Sequence, residues 1–256
     1  MKTIIKRILI GLILIYLGFG FLLFLRQNDY IYYPFAQDFN SCGEFSDSEK
    51  LDLNGTRVYY KKISAKLVVF YHGNGGSACE GSFLKDTFAS IGYSYIFAEY
   101  AGYSNDTQKS SQKLIMEDVK NINNFLNTLS LKELAIVGES LGASVALYHS
   151  SMADEDKLLL ISPFYSLADS ARVHYPLYPI ALLLRDKYEN YLWLKDIKKV
   201  AIIHGTKDTI IPIGESKRLF DKMEVGNKKF IEISGADHND IYSYPETFQE
   251  ITDFLK

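Results

Sequence analysis

The chain has 256 residues, 47% of them apolar and 23% charged, with a formal net charge of −3. That balance excludes a disordered chain, which has too few apolar residues to form a core, and a basic nucleic-acid-binding domain. Two cysteines, Cys42 and Cys79, are too few for a disulfide framework, and no Cys/His spacing suggests a metal site. The sequence leaves open whether the two pair.

The first predicted element is a helix. Lys2, Lys6 and Arg7 precede an uncharged run from Ile8 to Leu25, and Arg26 follows. Those 18 residues span about 27 Å as a helix, close to a hydrocarbon core of about 30 Å. The run is long for a cleaved signal and has no small-x-small site at its end. Residues 1–26 therefore read as a membrane anchor. The excess of basic residues before the run places the N-terminus in the cytoplasm and the rest on the exported side. Residues 27–43, with Tyr30, Tyr32, Tyr33 and Pro34, read as a connecting segment, and residues 44–256 as the domain.

Within the domain, strand and helix patterns alternate. Lys50–Leu53 and Arg57–Ile63 flank Asn54-Gly55, a hairpin signal. Leu67–Tyr71 and Tyr95–Ala98 are continuous apolar runs, as strands buried on both faces should be. Gly81–Ile91 reads as a helix. Leu114, Ile115, Val119, Ile122, Phe125, Leu126 and Leu129 give helical spacing over Gln112–Leu129. Leu134–Val137 is a strand and Gly142–Ser151 a helix. Three further strands, Lys157–Ile161, Val200–Ile203 and Phe230–Ile233, precede a closing helix, Tyr244–Leu255. The alternation predicts a mostly parallel sheet with helices on both faces, its chemistry at the carboxyl ends of the strands.

Three of those strand ends carry reactive residues. After Leu134–Val137 comes Gly138-Glu139-Ser140-Leu141-Gly142, then a helix with small residues. This is a nucleophile elbow in its strand–turn–helix setting, with Ser140 as nucleophile. A serine needs a base. Of the five histidines, His238 lies in a loop after the last strand, where the chain order serine–acid–histidine puts the base. Between them, Val200–Ile203 runs into His204-Gly205-Thr206-Lys207-Asp208, which makes Asp208 the acid and Asp169 its competitor. The backbone N–H groups of Leu141 and of Asn74, in the glycine-rich loop His72–Gly76, are the expected oxyanion donors. Such a site requires no cofactor and no metal.

These residues resemble the α/β-hydrolase superfamily and, more narrowly, the Bem46-like group that includes the ABHD13 and ABHD17 proteins. Ile31–Pro34, His72-Gly73-Asn74, Tyr100–Ser104, Gly138–Gly142, Ser162–Leu167, His204–Pro212 and Gly235–His238 carry the resemblance. It implies the α/β-hydrolase fold and hydrolysis of small-molecule or lipid-like acyl esters or thioesters. A serine peptidase of the same fold and a non-enzymatic scaffold are the competing readings. Two departures stand out. Ala101 occupies a position where the group often has arginine. The insert at residues 164–194 is short, a small lid that leaves the pocket relatively open. Its aromatic and leucine side chains either bind an acyl group or pack onto the sheet.

Overall fold

A computed structural model describes residues 1–35, 37–195 and 197–256. The hairpin forms as its Asn54-Gly55 turn requires, with β1 (Glu49–Leu53) antiparallel to β2 (Thr56–Lys61). The buried strands follow: β3 (Lys66–Tyr71), β4 (Ser94–Glu99), β5 (Glu133–Glu139), β6 (Lys157–Ile161), β7 (Val200–Gly205) and β8 (Lys228–Ile233). They form one eight-stranded sheet in the order β1-β2-β4-β3-β5-β6-β7-β8, with β3 to β8 parallel and β2 antiparallel to β4. This is the α/β-hydrolase fold expected from the sequence.

Eight helices join the described strands. They are α1 (Lys2–Ile31), α2 (Lys85–Ser90), α3 (Gln112–Leu126), α4 (Leu141–Ser150), α5 (Leu167–His174), α6 (Ile180–Leu183), α7 (Ile213–Lys222) and α8 (Pro245–Leu255). Two apolar layers cover the sheet. One holds Tyr71, Val119, Leu147 and Leu160; the other holds Phe45, Phe70, Val137 and Phe254. The alternation of strand residues between these layers follows from the two-residue side-chain period. Cys42 and Cys79 form a disulfide beside Phe45, which closes the question the sequence left open.

Three differences from the sequence reading stand out, beside smaller ones such as the predicted Gly81–Ile91 helix, which forms as a 3-10 turn at Glu80–Leu84 followed by α2. The α3 helix ends at Leu126, because Asn127 to Leu129 continue as tight turns in which Thr128 and Leu129 bond back to Phe125 and Leu126. The α7 helix has no counterpart in the sequence reading. The largest difference is α1, which runs past Arg26 to Ile31. The polar residues after Arg26 are held by the domain. Gln27 accepts from the Arg185 N–H at 2.7 Å and donates to the Leu183 carbonyl at 3.2 Å, and Asn28 donates to the Ser110 carbonyl at 2.9 Å.

Candidate active site

Local sequence builds the site around a tight turn. Ser140 sits between β5 and α4 at φ 53° and ψ −117°, a conformation that L-residues rarely adopt. Only small neighbours permit it. A Cβ at Gly138 would lie 2.2 Å from the Gly142 carbonyl oxygen, and a Cβ at Gly142 would lie 2.2 Å from the Tyr71 carbonyl oxygen. The Ser140 N–H donates to the Ile161 carbonyl of β6 at 2.8 Å, which fixes the turn to the sheet.

The structure brings Ser140, His238 and Asp208 together. His238 Nε2 is 3.0 Å from Ser140 Oγ, and His238 Nδ1 is 2.7 Å from Asp208 Oδ2. The carboxylate only accepts, so Nδ1 carries the proton and Nε2 is free to accept from the serine hydroxyl. Asp208 Oδ1 accepts from the N–H groups of Ile210 and Ile211 at 3.0 and 2.7 Å. Burial alone would raise the Asp208 carboxyl. Hydrogen bonds from His204 and His238, the charge of His238 and the Ile211 N–H outweigh it and hold the carboxyl well below the usual carboxylate range. Asp169, the competing acid, accepts from Ser166 and pairs with Arg172 and Arg218 instead. Asp237, adjacent to the base, accepts from the N–H groups of Thr209 and His238 and so ties the two loops together.

The sequence reading names Leu141 and Asn74 as oxyanion donors. Both line the cavity beside Ser140, and neither backbone N–H has an acceptor among the described residues. The rest of Asn74 is committed. Its carbonyl accepts from Tyr33 N–H at 3.1 Å and from the Tyr103 hydroxyl at 2.9 Å, and its side-chain amide donates to the Ile31 carbonyl at 3.0 Å. Beside the nucleophile, burial pushes the Glu139 carboxyl up, against a hydrogen bond from the Tyr242 hydroxyl.

The cavity over Ser140 has a volume of about 510 Å³. Its walls come from three sources: the strand ends, the insert through Tyr175, Leu183 and Leu184, and α1 through Leu23, Phe24 and Ile31. The end of α1 thus adds a wall that the short insert alone does not supply. The insert's aromatic and leucine side chains divide between the two roles expected of them. Tyr165 and Tyr188 are buried in the core, Tyr175 and Leu183 face the cavity, and Phe164 does both.

Residues 55–178 match a family model described as an alpha/beta hydrolase of unknown function. An uncharacterized protein of Mycobacterium tuberculosis, Rv2307c, is 30% identical over 181 residues, which cover 69% of this chain and 64% of that protein. The chain belongs to the α/β-hydrolase superfamily. The relatives include Bem46 and ABHD17 proteins, two of those that the sequence reading named. Protein bem46 of Schizosaccharomyces pombe is 25% identical, covering 75% of this chain and 68% of its own length. The lysophosphatidylserine lipase ABHD12 of Danio rerio is 26% identical, with coverage of 75% and 59%. The fold is also that of the Pyrococcus furiosus esterase Pf2001, with a TM-score of 0.68 at 16% identity, covering 88% of this chain and 98% of that one.

Two groups of site residues escaped the sequence reading. His204 is given no role there, yet its Nε2 lies 3.1 Å from Asp208 Oδ2 and 2.9 Å from the Ile211 carbonyl. Its Nδ1 lies 2.6 Å from Ser216 Oγ, whose proton goes to the Pro163 carbonyl at 2.5 Å. Its position four residues before Asp208 was the available signal. The second group is the end of α1, whose apolar character has a sufficient explanation in the membrane, so the sequence offers no separate sign of a pocket wall.

Proposed function

We propose that the protein is a serine hydrolase that cleaves carboxylic ester or thioester bonds of lipid-like acyl substrates from a membrane anchor. The observation that carries this reading is the unbroken hydrogen-bonded line from Asp208 through His238 to Ser140, opening on an apolar cavity. Ser140 Oγ attacks the acyl carbon while His238 Nε2 takes its proton. Asp208 keeps the imidazole in the required tautomer and offsets its charge. The N–H groups of Leu141 and Asn74 receive the oxyanion. Collapse of the tetrahedral intermediate leaves the acyl group on Ser140 as the proton on His238 passes to the departing alcohol or thiol. Water, deprotonated by His238, then releases the acid.

The cavity favours an acyl chain over a peptide, because no Asp, Glu, Lys or Arg is among its described lining residues. The lipase name of the zebrafish relative points to the same substrate class. The test is turnover of p-nitrophenyl butyrate by wild type and Ser140→Ala. Loss of about 10⁴-fold or more, with the fold intact by circular dichroism, is expected. Turnover unchanged in the variant would overturn the reading.

The α1 helix is long and apolar enough to cross a membrane. The reading places the N-terminus in the cytoplasm and the domain on the exported side. Lys2, Lys6 and Arg7 support that orientation, and so does the Cys42–Cys79 disulfide, a bond that persists in oxidising compartments. Protease added to intact cells should degrade the domain. A protected domain would reverse the orientation.

A further inference from the structure

The lid is fastened to α1 far from its domain end. The Tyr16 hydroxyl donates to the Leu177 carbonyl at 2.7 Å, and the Tyr178 hydroxyl donates to the Tyr16 carbonyl at 3.1 Å. The two tyrosine rings stack at 4.6 Å, and Phe19 meets Tyr178 at 5.7 Å. Gly20 makes room for this contact, since a Cβ there would lie 2.9 Å from the Tyr178 ring.

Tyr16 is ten residues before Arg26, about 15 Å along the helix. If the lid tip stood in water, only Ile8–Ile15 would remain in hydrocarbon. Those eight residues give about 12 Å, too short to cross a core of about 30 Å. A spanning α1 therefore carries the lid tip into the bilayer with it. The tip is built for that place. From Val173 to Leu184 the chain has no Asp, Glu, Lys or Arg, and Arg172 and Arg185 bound the stretch. Val173, Leu177 and Leu182 point outward, exposed by 55%, 78% and 84%, which is costly in water and favourable in lipid. Tyr175 and Tyr178 supply the aromatic residues typical of the membrane boundary.

We infer that the lid tip, residues 173–184, is a second bilayer-inserted element that opens the cavity mouth to the lipid phase. The ligand then enters from the membrane rather than from water. Both boundaries of the cavity on that side, Phe24 of α1 and Leu183 of the lid, are the embedded elements themselves. The cavity volume is within the roughly 300–1,000 Å³ of pockets that enclose one small ligand, which suits a single-chain acyl amphiphile. That substrate statement rests on the function proposed above; the insertion does not.

The experiment uses full-length protein in phosphatidylcholine vesicles. Leu182→Cys and, separately, Leu177→Cys are labelled with an environment-sensitive fluorophore, with Asp154→Cys as the control. Asp154 is 94% exposed, in the loop before β6 at the opposite, amino end of the strands. Spin-labelled lipid should quench the lid fluorophores and aqueous iodide should not, while the control shows the reverse. Lid fluorophores quenched like the control would overturn the insertion. In the second arm, Leu177→Lys/Leu182→Lys is compared with wild type on two esters. Hydrolysis of a long-chain ester embedded in vesicles should fall about tenfold or more, as expected for lysines that resist burial in hydrocarbon. Hydrolysis of a soluble short-chain ester should change less than about twofold. Equal loss on both esters would overturn the membrane entry route. Wild type inert toward both esters would refute the proposed function, and the quenching arm would still decide the insertion.

Discussion

The side-chain amide of Asn74 donates to the backbone carbonyl of Ile31, the last residue of α1, at 3.0 Å. A helix leaves its final carbonyls without partners, and this one is answered by the loop that presents the Asn74 N–H beside Ser140. The end of α1 and the site are thus joined directly. Asn74→Ala keeps the backbone N–H but removes the brace. Turnover of a soluble ester should fall about tenfold, less than the 10²–10³-fold typical of deleting an oxyanion donor. Melting should shift down by an unpaired carbonyl's cost, about 1–3 kcal/mol. Unchanged kinetics would mean that the loop holds its place without α1.

Truncation separates two consequences of the same arrangement. From the sequence alone, deleting residues 1–26 should leave an active, soluble domain, because the run contributes no triad residue. The structure revises this, since Leu23 and Phe24 are part of the cavity wall. The remaining turn at Gln27–Ile31 is too short to hold itself as a helix. The truncated protein should still cleave short soluble esters, but its preference for long acyl chains should collapse. Retention of that preference would show that α1 is dispensable for the cavity.

Most of the fold and the central residues of the site were legible in the sequence, for physical reasons. Buried parallel strands leave apolar runs such as Leu67–Tyr71. A strained elbow needs Gly138 and Gly142. The chain order then points to Asp208 and His238, and the structure places His238 within hydrogen-bond distance of both Asp208 and Ser140. What stayed hidden depends on tertiary partners. Gln27 and Asn28 look like the start of a connector until Leu183, Arg185 and Ser110 supply their bonds. The α7 helix carries few apolar residues, Leu219 and Phe220 among them, and follows Pro212, so it reads as loop. The Cys42–Cys79 bond joins residues 37 apart, a separation that says nothing of distance.

The competing acids are separated by charge-neutral substitutions. Asp208→Asn should cost about 10⁴-fold in kcat, because the amide favours the wrong imidazole tautomer. Asp169→Asn removes half-exposed pairs with Arg172 and Arg218 and should change kcat less than about threefold. The reverse ranking would transfer the acid role to Asp169.

His149 gives a pH signature of stability. It is fully buried in α4 with Nδ1 2.8 Å from the Tyr71 hydroxyl, and burial, then the charge of Lys195, lowers its pKa to about 3. The unfolded chain binds this proton near pH 6.5 and the folded chain does not, so stability is lost as pH falls through that interval. Between pH 7 and 4.5 this group alone should cost about 2.5 kcal/mol. Asp118, whose carboxyl burial raises to about 6, acts in the opposite sense over part of the range. The test is therefore a difference. Urea unfolding of His149→Gln should lose about 2.5 kcal/mol less than wild type over that interval. Equal losses would show that the histidine is protonated in the folded protein.

Gly20→Leu places a side chain where the Tyr178 ring lies against α1. The ring must leave, and the lid tip with it. The ratio of long-chain to short-chain ester turnover should fall about tenfold, as when a misplaced wall disturbs a positioned substrate. An unchanged ratio would separate the lid's seat on α1 from substrate choice.

The most direct measurement is mass spectrometry of the full-length protein after treatment with a fluorophosphonate, which captures only an activated serine. One adduct per chain, located on Ser140 and absent in His238→Ala, is the expected result. An unmodified Ser140, or an adduct that persists at full yield without His238, would contradict a hydrolase that works through this serine and this base.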